Sequence, residues 1–341
     1  MGSKKADAAY DTAISPKAAP TIKDVAKEAG VAIGTVSKVI NGIPVGAKYR
    51  ARVEAAIEKL HYQVDTYAQG LRSNRTCVIE VIIPNLINPF FAKLVNCINR
   101  ELAQRNYKML LCATDADPNL EQAYLFMAVQ QRVDGIICLS YEPRLRVPEN
   151  IPLISIDRYF GAKIPCIASD NYGGGRLAAE KLVENGCRNL AFLRIGSKLS
   201  NETNKRKDGF VSVCEELGIP YTLQIVDDGT PYSAFEVFLQ EHMQDDKLEF
   251  DGIFCVTDAL AHQIQTFLRN MGIRVPEDVQ IIGYDGVRYF GDMELLCSTI
   301  VQPVEAIAKT CVDLVLDDSL ESAPSLVCLP VNYAYGGTTK K

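Results

Sequence analysis

The hydrogen-bonding side chains of this sequence gather where apolar runs end. Asn85 to Asn88 follow the run 78–83, Ser140 follows 135–139, and Asp157 with Arg158 follows 153–156. Thr257 and Asp258 close the run 252–256, and Asp285 closes the IIGYDG stretch. Carboxylates beside a guanidinium can bracket neighbouring hydroxyls through charge-assisted hydrogen bonds. That is binding chemistry: no nucleophile–base pair, no metal-ligand spacing and no paired catalytic acids emerge. The three histidines, His61, His242 and His262, lie far apart, and none of the eleven cysteines stands in C-x-x-C spacing, which argues against zinc. A second chemistry sits near the N-terminus. Lys38, Lys48, Arg50 and Arg52 supply cations suited to the phosphates of a nucleic acid.

The elements that must carry these residues differ between the two ends of the chain. From Thr21 to Leu60 the pattern is that of three short helices. Thr21-x-x-Asp24 reads as a capping box, Ile22, Val25, Ala26 and Ala29 recur at helical spacing, and Gly30 ends the first helix. Thr35, Val36, Val39 and Ile40 form a second amphipathic helix up to Asn41-Gly42, and a third runs from about Lys48 to Leu60. Two helices separated by a tight glycine turn have the build of a helix-turn-helix, whose second helix suits the DNA major groove; a plain helical subdomain with solvated Lys and Arg has the same spacing. Residues 64–75 are compatible with a helix too short to hold alone in water, or with an exposed linker.

From Cys77 onward, apolar runs of four to seven residues alternate with amphipathic helical patterns. This predicts parallel sheets covered on both faces, in two similar lobes divided near residues 170–175, with ligands bound beyond the carboxyl ends of the strands. Gly173 to Gly175 invite a phosphate-loop reading, but no Lys-Ser/Thr follows and no G-x-G-x-x-G is present. A helix starting close to the lobe crossing is the preferred role.

Read together, TIKDVAKEAGV, TVSKVING and the spaced V, R, RV, AI and L-x-Y positions resemble the head of the lactose-repressor/galactose-repressor family of bacterial transcription regulators, and the likeness continues after residue 20. The resemblance implies a helix-turn-helix head over 21–63, a hinge over 64–75, and an α/β effector domain over 76–341 of the periplasmic-binding-protein type, with crossings near 170, 300 and 328. It places the base-reading positions at Ile33, Gly34 and Lys38, with Thr21, Thr35, Ser37, Asn41, Tyr49 and Arg50 as further DNA contacts. It matches Leu71 to a residue wedged into the minor groove and Ala68 to a close-packed hinge position. Gly34 has no side chain for a base edge and Ile33 offers apolar contact alone, which shifts the expectation towards phosphate contacts. In the body the resemblance assigns effector contacts to Asn88, Phe90, Ser140, Asp157, Arg206, Thr257 and Asp285. Arg206 stands three residues before Gly209 as the family's effector-binding arginine does, and Thr257 replaces the family's asparagine. The family's tetramer-forming tail is not seen, so the expected assembly is a homodimer.

Composition narrows the function classes. With 48% hydrophobic and 23% charged residues the chain reads as an ordinary globular protein. Its net charge of -6 hides a basic head: 12 Lys+Arg against 7 Asp+Glu over residues 1–75. The remainder is acidic, with 24 against 35. Residues 1–20 read as a disordered lead-in without an apolar signal core, and no run has the length of a membrane span. Cysteines inside apolar runs suit a reducing, cytoplasmic setting. A repressor of operator DNA, controlled by a small molecule and without cofactor, accounts for all three segments. The alternatives are an exported sugar-binding transport or chemosensory protein, which has no use for the head, and an enzyme using the cleft. A sugar is the preferred effector; a nucleobase stacked on Phe90, a phosphorylated signal and a partner protein acting as corepressor stay open.

Overall fold

A computed structural model describes residues 20–62, 75–140, 142, 144–161, 164–196, 201–288, 293–317 and 320–341. The chain divides into two compact units, 1–76 and 77–341. In the first, α1 (Ile22–Ala29), α2 (Ile33–Ile40) and α3 (Ala47–Leu60) bury Val25, Ala26, Ala29, Val36, Val39, Val53 and Ala56 against one another. The Asp24 carboxylate holds the start of α1: it accepts from the Thr21 amide at 2.8 Å and the Thr21 hydroxyl at 2.7 Å. These bonds, the backbone one first, keep its pKa below the usual carboxylate value. Gly30 ends the helix in the left-handed region at φ 62°.

The second unit holds two six-stranded sheets. In chain order the elements are β1 (Val78–Ile83), α4 (Pro89–Gln104), β2 (Lys108–Ala113), α5 (Pro118–Gln131), β3 (Gly135–Cys138), β4 (Leu153–Ile156) and β5 (Cys166–Ser169). Next come α6 (Asn171–Glu184), β6 (Leu190–Ile195), α7 (Lys205–Leu217), β7 (Tyr221–Val226), α8 (Ser233–Glu241) and the small hairpin β8 (Met243–Gln244) with β9 (Lys247–Leu248). The chain ends with β10 (Gly252–Cys255), α9 (Asp258–Asn270), β11 (Gln280–Asp285), β12 (Ser298–Val301), α10 (Val304–Val315), β13 (Leu326–Leu329) and β14 (Asn332–Ala334).

The first sheet, ordered β13-β5-β4-β3-β1-β2, is parallel throughout. Helices α4 and α10 cover one face and α5 the other, so its central strands are apolar on both sides. The second sheet, ordered β14-β12-β11-β10-β6-β7, is parallel except for β14, which runs antiparallel to β12 and departs from the all-parallel expectation. The chain passes between lobes three times: after β5, after β12 and between β13 and β14. The crossings are bonded to one another. The Ser169 hydroxyl donates to Gln302 Oε1 at 2.7 Å, and the Asp170 amide donates to the Leu329 carbonyl at 2.7 Å.

The glycine run has a packing explanation at each position. The Gly173 amide donates to the Asp170 carboxylate at 2.8 Å, capping α6. A Cβ on Gly174 would meet the Tyr284 ring at 2.7 Å, and one on Gly175 would stand 2.0 Å from the Arg206 carbonyl oxygen. Across the same contact, a Cβ on Gly209 would lie 2.0 Å from the Tyr172 carbonyl oxygen. Two glycines thus let the backbones of α6 and α7 touch, which sets the position of Arg206.

Candidate functional site

Where the strand ends of the two lobes face each other, a cavity of about 210 Å³ opens. Asn88, Phe90 and Asp157 line it from the first lobe; Arg206, Thr257 and Asp285 line it from the second. Six of the seven residues expected from the sequence therefore come together. Ser140 does not. Its hydroxyl bonds the buried Glu121 carboxylate and accepts the Glu142 amide at 3.0 Å, and only its carbonyl reaches towards the site, accepting Arg158 Nε at 3.1 Å. The reason is strand alternation: Leu139 lines the cavity, so the next side chain turns to the α5 face.

The polar lining forms one network. Arg206 is 3% exposed. It donates through Nε to Asn171 Oδ1 and through Nη1 to the Val256 carbonyl, both at 2.7 Å, and stacks 3.6 Å from the Tyr284 ring centroid. The same Nη1 lies 4.0 Å from Asp285 Oδ1. Asn171 donates onward to Asp157 Oδ1 at 3.3 Å and to the Ser169 carbonyl at 3.0 Å. On the other side Gln302 Nε2 donates to Asp285 Oδ1 at 2.7 Å. The two acids are thus tied, through Asn171 and Gln302, to the residues that cross between lobes.

Both acids are out of water, and burial raises the pKa of each: Asp157 shifts upward against the pull of Arg206, and Asp285 reaches about 8. Both also have positive φ, 56° at Asp157 and 129° at Asp285, a backbone conformation that costs on the order of 1–3 kcal/mol in a non-glycine residue. Buried carboxyls held with strained backbone at a cavity wall fit a site preorganised for a ligand. Asn88 and Thr257 have a second duty as helix caps, accepting the Phe90 amide at 2.9 Å and the Leu260 amide at 3.3 Å. Neighbouring Asp258 is structural: buried, with its pKa pushed up to about 6, it accepts from the Val287 amide and the Thr299 hydroxyl at 2.6 Å each.

Sequence reading missed several lining residues. Arg194, Asp228, Tyr232, Thr203 and Gln302 all face the cavity, as does Phe91, edge-on to Phe90 with ring centroids 5.7 Å apart. Arg194 had a legible signal, being the one charge in the apolar strand LAFLRI. Gln302 would follow from the strand-end rule once β12 is recognised.

In the head, Ile33, Gly34, Lys38 and Asn41 are exposed along α2, Thr35 and Ser37 are half-buried, and Tyr49 is exposed on α3. Thr21 is exposed at the start of α1. The Asn41 amide donates to Ser37 Oγ at 3.3 Å. Ala32 provides no side-chain cap for α2. Arg50 reaches the Ile43 carbonyl at 3.5 Å and Glu54 at 3.7 Å. Arg52, counted from the sequence among the phosphate-facing cations, instead donates to the Gly30 carbonyl at 3.2 Å and fastens the turn between α1 and α2. Ala68 and Leu71 lie outside the described residues. All eleven cysteines are free, nine of them buried, and no described helix is long and apolar enough to cross a membrane.

Comparison with known proteins decides the family. Residues 21–65 match the model for bacterial regulatory proteins of the lacI family, and residues 76–315 match that for periplasmic binding proteins and the sugar binding domain of the LacI family. The chain belongs to the lacI family of bacterial regulatory proteins. It is similar to the sucrose operon repressor of Pediococcus pentosaceus, 33% identical over 329 residues that span 94% of this chain and 99% of that protein. It is also similar to the HTH-type transcriptional repressor PurR of Yersinia pestis, 32% identical over 308 residues, covering 87% and 89% of the two chains. Among solved structures, the Lac repressor bound to ONPG in the repressed state superposes with a TM-score of 0.78 at 25% identity, over 94% of this chain and 99% of that one. This lacI-family chain is a DNA-binding repressor with a ligand-controlled effector domain; the transport reading leaves the match over 21–65 without a purpose, and the relatives are regulators rather than enzymes.

Proposed function

We propose that the effector is a sugar of about one ring, held between the lobes and controlling a homodimer on a palindromic operator. The observation that carries this reading is the cavity itself, where Asp157, Arg206 and Asp285 converge from opposite lobes beside Phe90. Asp157 and Asp285 accept from ligand hydroxyls, Arg206 donates, and Phe90 covers an apolar ring face. Ile33, Gly34 and Lys38 read the major groove, while Thr21, Thr35, Ser37, Asn41, Tyr49 and Arg50 hold phosphates and groove edges. Ala68 and Leu71, outside the described residues, are assigned to the minor-groove side of the operator on the family resemblance. The edge strand β2, unpaired on its outer side among the described residues and carrying half-buried Met109, Leu110 and Leu111, and the exposed Phe126 and Val129 of α5 support pairing of two copies through the first lobe. Reduced, buried thiols and a DNA target support action in the cytoplasm.

Thermal-shift screening of a panel of sugars and nucleosides tests the assignment, because a cleft ligand raises the melting temperature. A sugar is expected to stabilise the protein and to alter its binding to duplexes from its own promoter region. Arg206→Ala is expected to lose that response while still binding the duplex. Stabilisation by nucleosides alone, or equal loss of both properties in Arg206→Ala, refutes the division of labour.

A further inference from the structure

The outer face of α2 opens without a polar side chain. Ala32, Ile33 and Gly34 are three consecutive exposed residues where the helix begins, and none carries a donor or acceptor beyond its backbone. Ile33 is 39% exposed and lies outside the core that the three helices of the head share, so packing does not explain its apolar side chain. A Cβ on Gly34 would meet nothing within 4 Å, which leaves the helix surface beside Ile33 bare. Polar groups on this face come later: Ser37 Oγ accepts from the Asn41 side-chain amide at 3.3 Å, and Lys38 is exposed one turn beyond Gly34. Resting on the assignment of α2 to the major groove, we propose that Ile33 packs on the C5-methyl of a thymine in each operator half-site, with Gly34 letting the helix approach closely, so that this base pair is selected by a methyl group and not by a hydrogen-bonded edge.

The chemistry of the groove chooses among the bases. The first residues of a helix lying in the major groove are the ones that reach base edges. Guanine, adenine and cytosine present ring nitrogens, carbonyl oxygens and amino groups there, and thymine adds the one methyl group. Pressing an isoleucine onto a polar edge strips its water without returning a hydrogen bond, which costs free energy. Covering a methyl instead removes apolar surface from water on both sides of the contact. The bare position 34 works in the same direction, because such a contact needs heavy atoms within about 4–4.5 Å and no side chain there holds the helix away. The exposed Lys38 and Lys48 supply attraction to phosphates that is blind to sequence, so the apolar tip is left to discriminate.

The probes are duplexes enriched by the full chain from a randomised library, with each thymine of the enriched sequence replaced in turn by deoxyuridine, which lacks only the C5-methyl. Affinities are measured at one fixed salt concentration for the full chain and for Ile33→Ala, whose melting temperature is compared first. At one thymine in each half-site, loss of the methyl is expected to weaken binding by the full chain about threefold to fivefold, the worth of one hidden methyl group. Ile33→Ala is expected to bind the unmodified duplex less tightly and to treat thymine and deoxyuridine alike at that position. Affinity of the full chain unmoved by every deoxyuridine overturns the methyl contact. A methyl effect of the same size in Ile33→Ala overturns Ile33 as its reader. Enrichment repeated with Gly34→Gln separates these failures from failure of the reading beneath them, since the open surface accepts the longer side chain. A new preference at the facing base pair, adenine being the base that a glutamine amide pairs with, keeps α2 in the groove whatever the methyl result. The same enriched sequence from the native chain, Gly34→Gln and Ile33→Ala overturns this inference and the groove assignment together.

Discussion

Substitution of Gly175 by alanine offers the sharpest test of how the fold positions the site. The new Cβ would stand 2.0 Å from the Arg206 carbonyl oxygen, 2.8 Å from its carbon and 3.0 Å from the Phe210 amide nitrogen. These are backbone atoms, so no side chain can swing aside; α6 and α7 must separate by roughly 1–1.5 Å to restore ordinary contact. Overpacking of this kind costs about 1–3 kcal/mol, and the better helix propensity of alanine returns about 0.5–1 kcal/mol of it. The net loss of up to about 2.5 kcal/mol corresponds to a fall of up to about 10 °C in melting temperature for a unit of this size. Function suffers more than stability, because the displaced residue is Arg206. Its bonds of 2.7 Å to Asn171 and to the Val256 carbonyl do not survive a shift of that size, and affinity for whichever sugar stabilises the native protein is expected to fall about tenfold or more. Scanning calorimetry gives the first quantity and titration of that sugar the second. A Gly175→Ala protein that melts within 1 °C of the native one (a shift below about 0.5 kcal/mol) and titrates identically refutes the tight crossing as the device that sets the guanidinium.

Two further perturbations follow from the same structure. A Cβ on Gly34 meets nothing within 4 Å and the residue is helical, so Gly34→Ala is expected to stabilise the head by about 0.5 kcal/mol; slower hydrogen exchange at the Val36 and Val39 amides of the full chain is the readout, and faster exchange contradicts the open surface. Glu80 is fully buried in β1, with one carboxylate oxygen unpartnered among the described residues and Cys112 Sγ 3.4 Å from the other, and burial pushes its pKa up from 4.5 to about 7. Because the folded-state pKa is the higher one, its contribution is intact below about pH 4.5 and is lost as pH rises to 7, when the unfolded chain has released the proton and the folded one has not. Glu80→Gln is therefore expected to gain on the order of 2–3 kcal/mol relative to the native protein between pH 4.5 and pH 8; denaturant unfolding at the two pH values measures it, and a pH-independent difference refutes a proton-holding Glu80.

Much of this architecture was legible because buried parallel strands leave a plain mark. Runs such as GIIC and GIFC are apolar on both faces, and the polar residues at their ends fall where chains of this topology bind ligands. What escaped notice depended on facts that spacing alone does not carry. Ser140 obeys the strand-end rule but points to the wrong face, because one residue of alternation separates the cavity from α5. Arg52 has the charge of a phosphate ligand, yet its guanidinium is spent on the Gly30 carbonyl across 22 positions of sequence. The antiparallel β14 is three residues long, too short to show a period. Arg194 could have been found, since a buried charge near the end of an apolar strand needs a reason.

The placement of Asn171 and Gln302 bears on how a ligand in the cavity could matter elsewhere. Each bonds a cavity acid on one side and a crossing segment on the other: Asn171 joins Asp157 to Ser169, and Gln302 joins Asp285 to that same Ser169. A ligand that donates hydrogen bonds to Asp157 or Asp285 therefore competes with, or completes, the bonds that hold the first two crossings side by side. A ligand shifts the balance between two arrangements only by its difference in affinity for them, and a hundredfold difference corresponds to about 2.7 kcal/mol. That is the strength of one or two charge-assisted hydrogen bonds. Changing the partner of a single buried carboxyl is thus enough to bias the lobes, and removing Gln302 or Asn171 would alter the response to ligand without removing any group that ties the acids to Arg206 by charge.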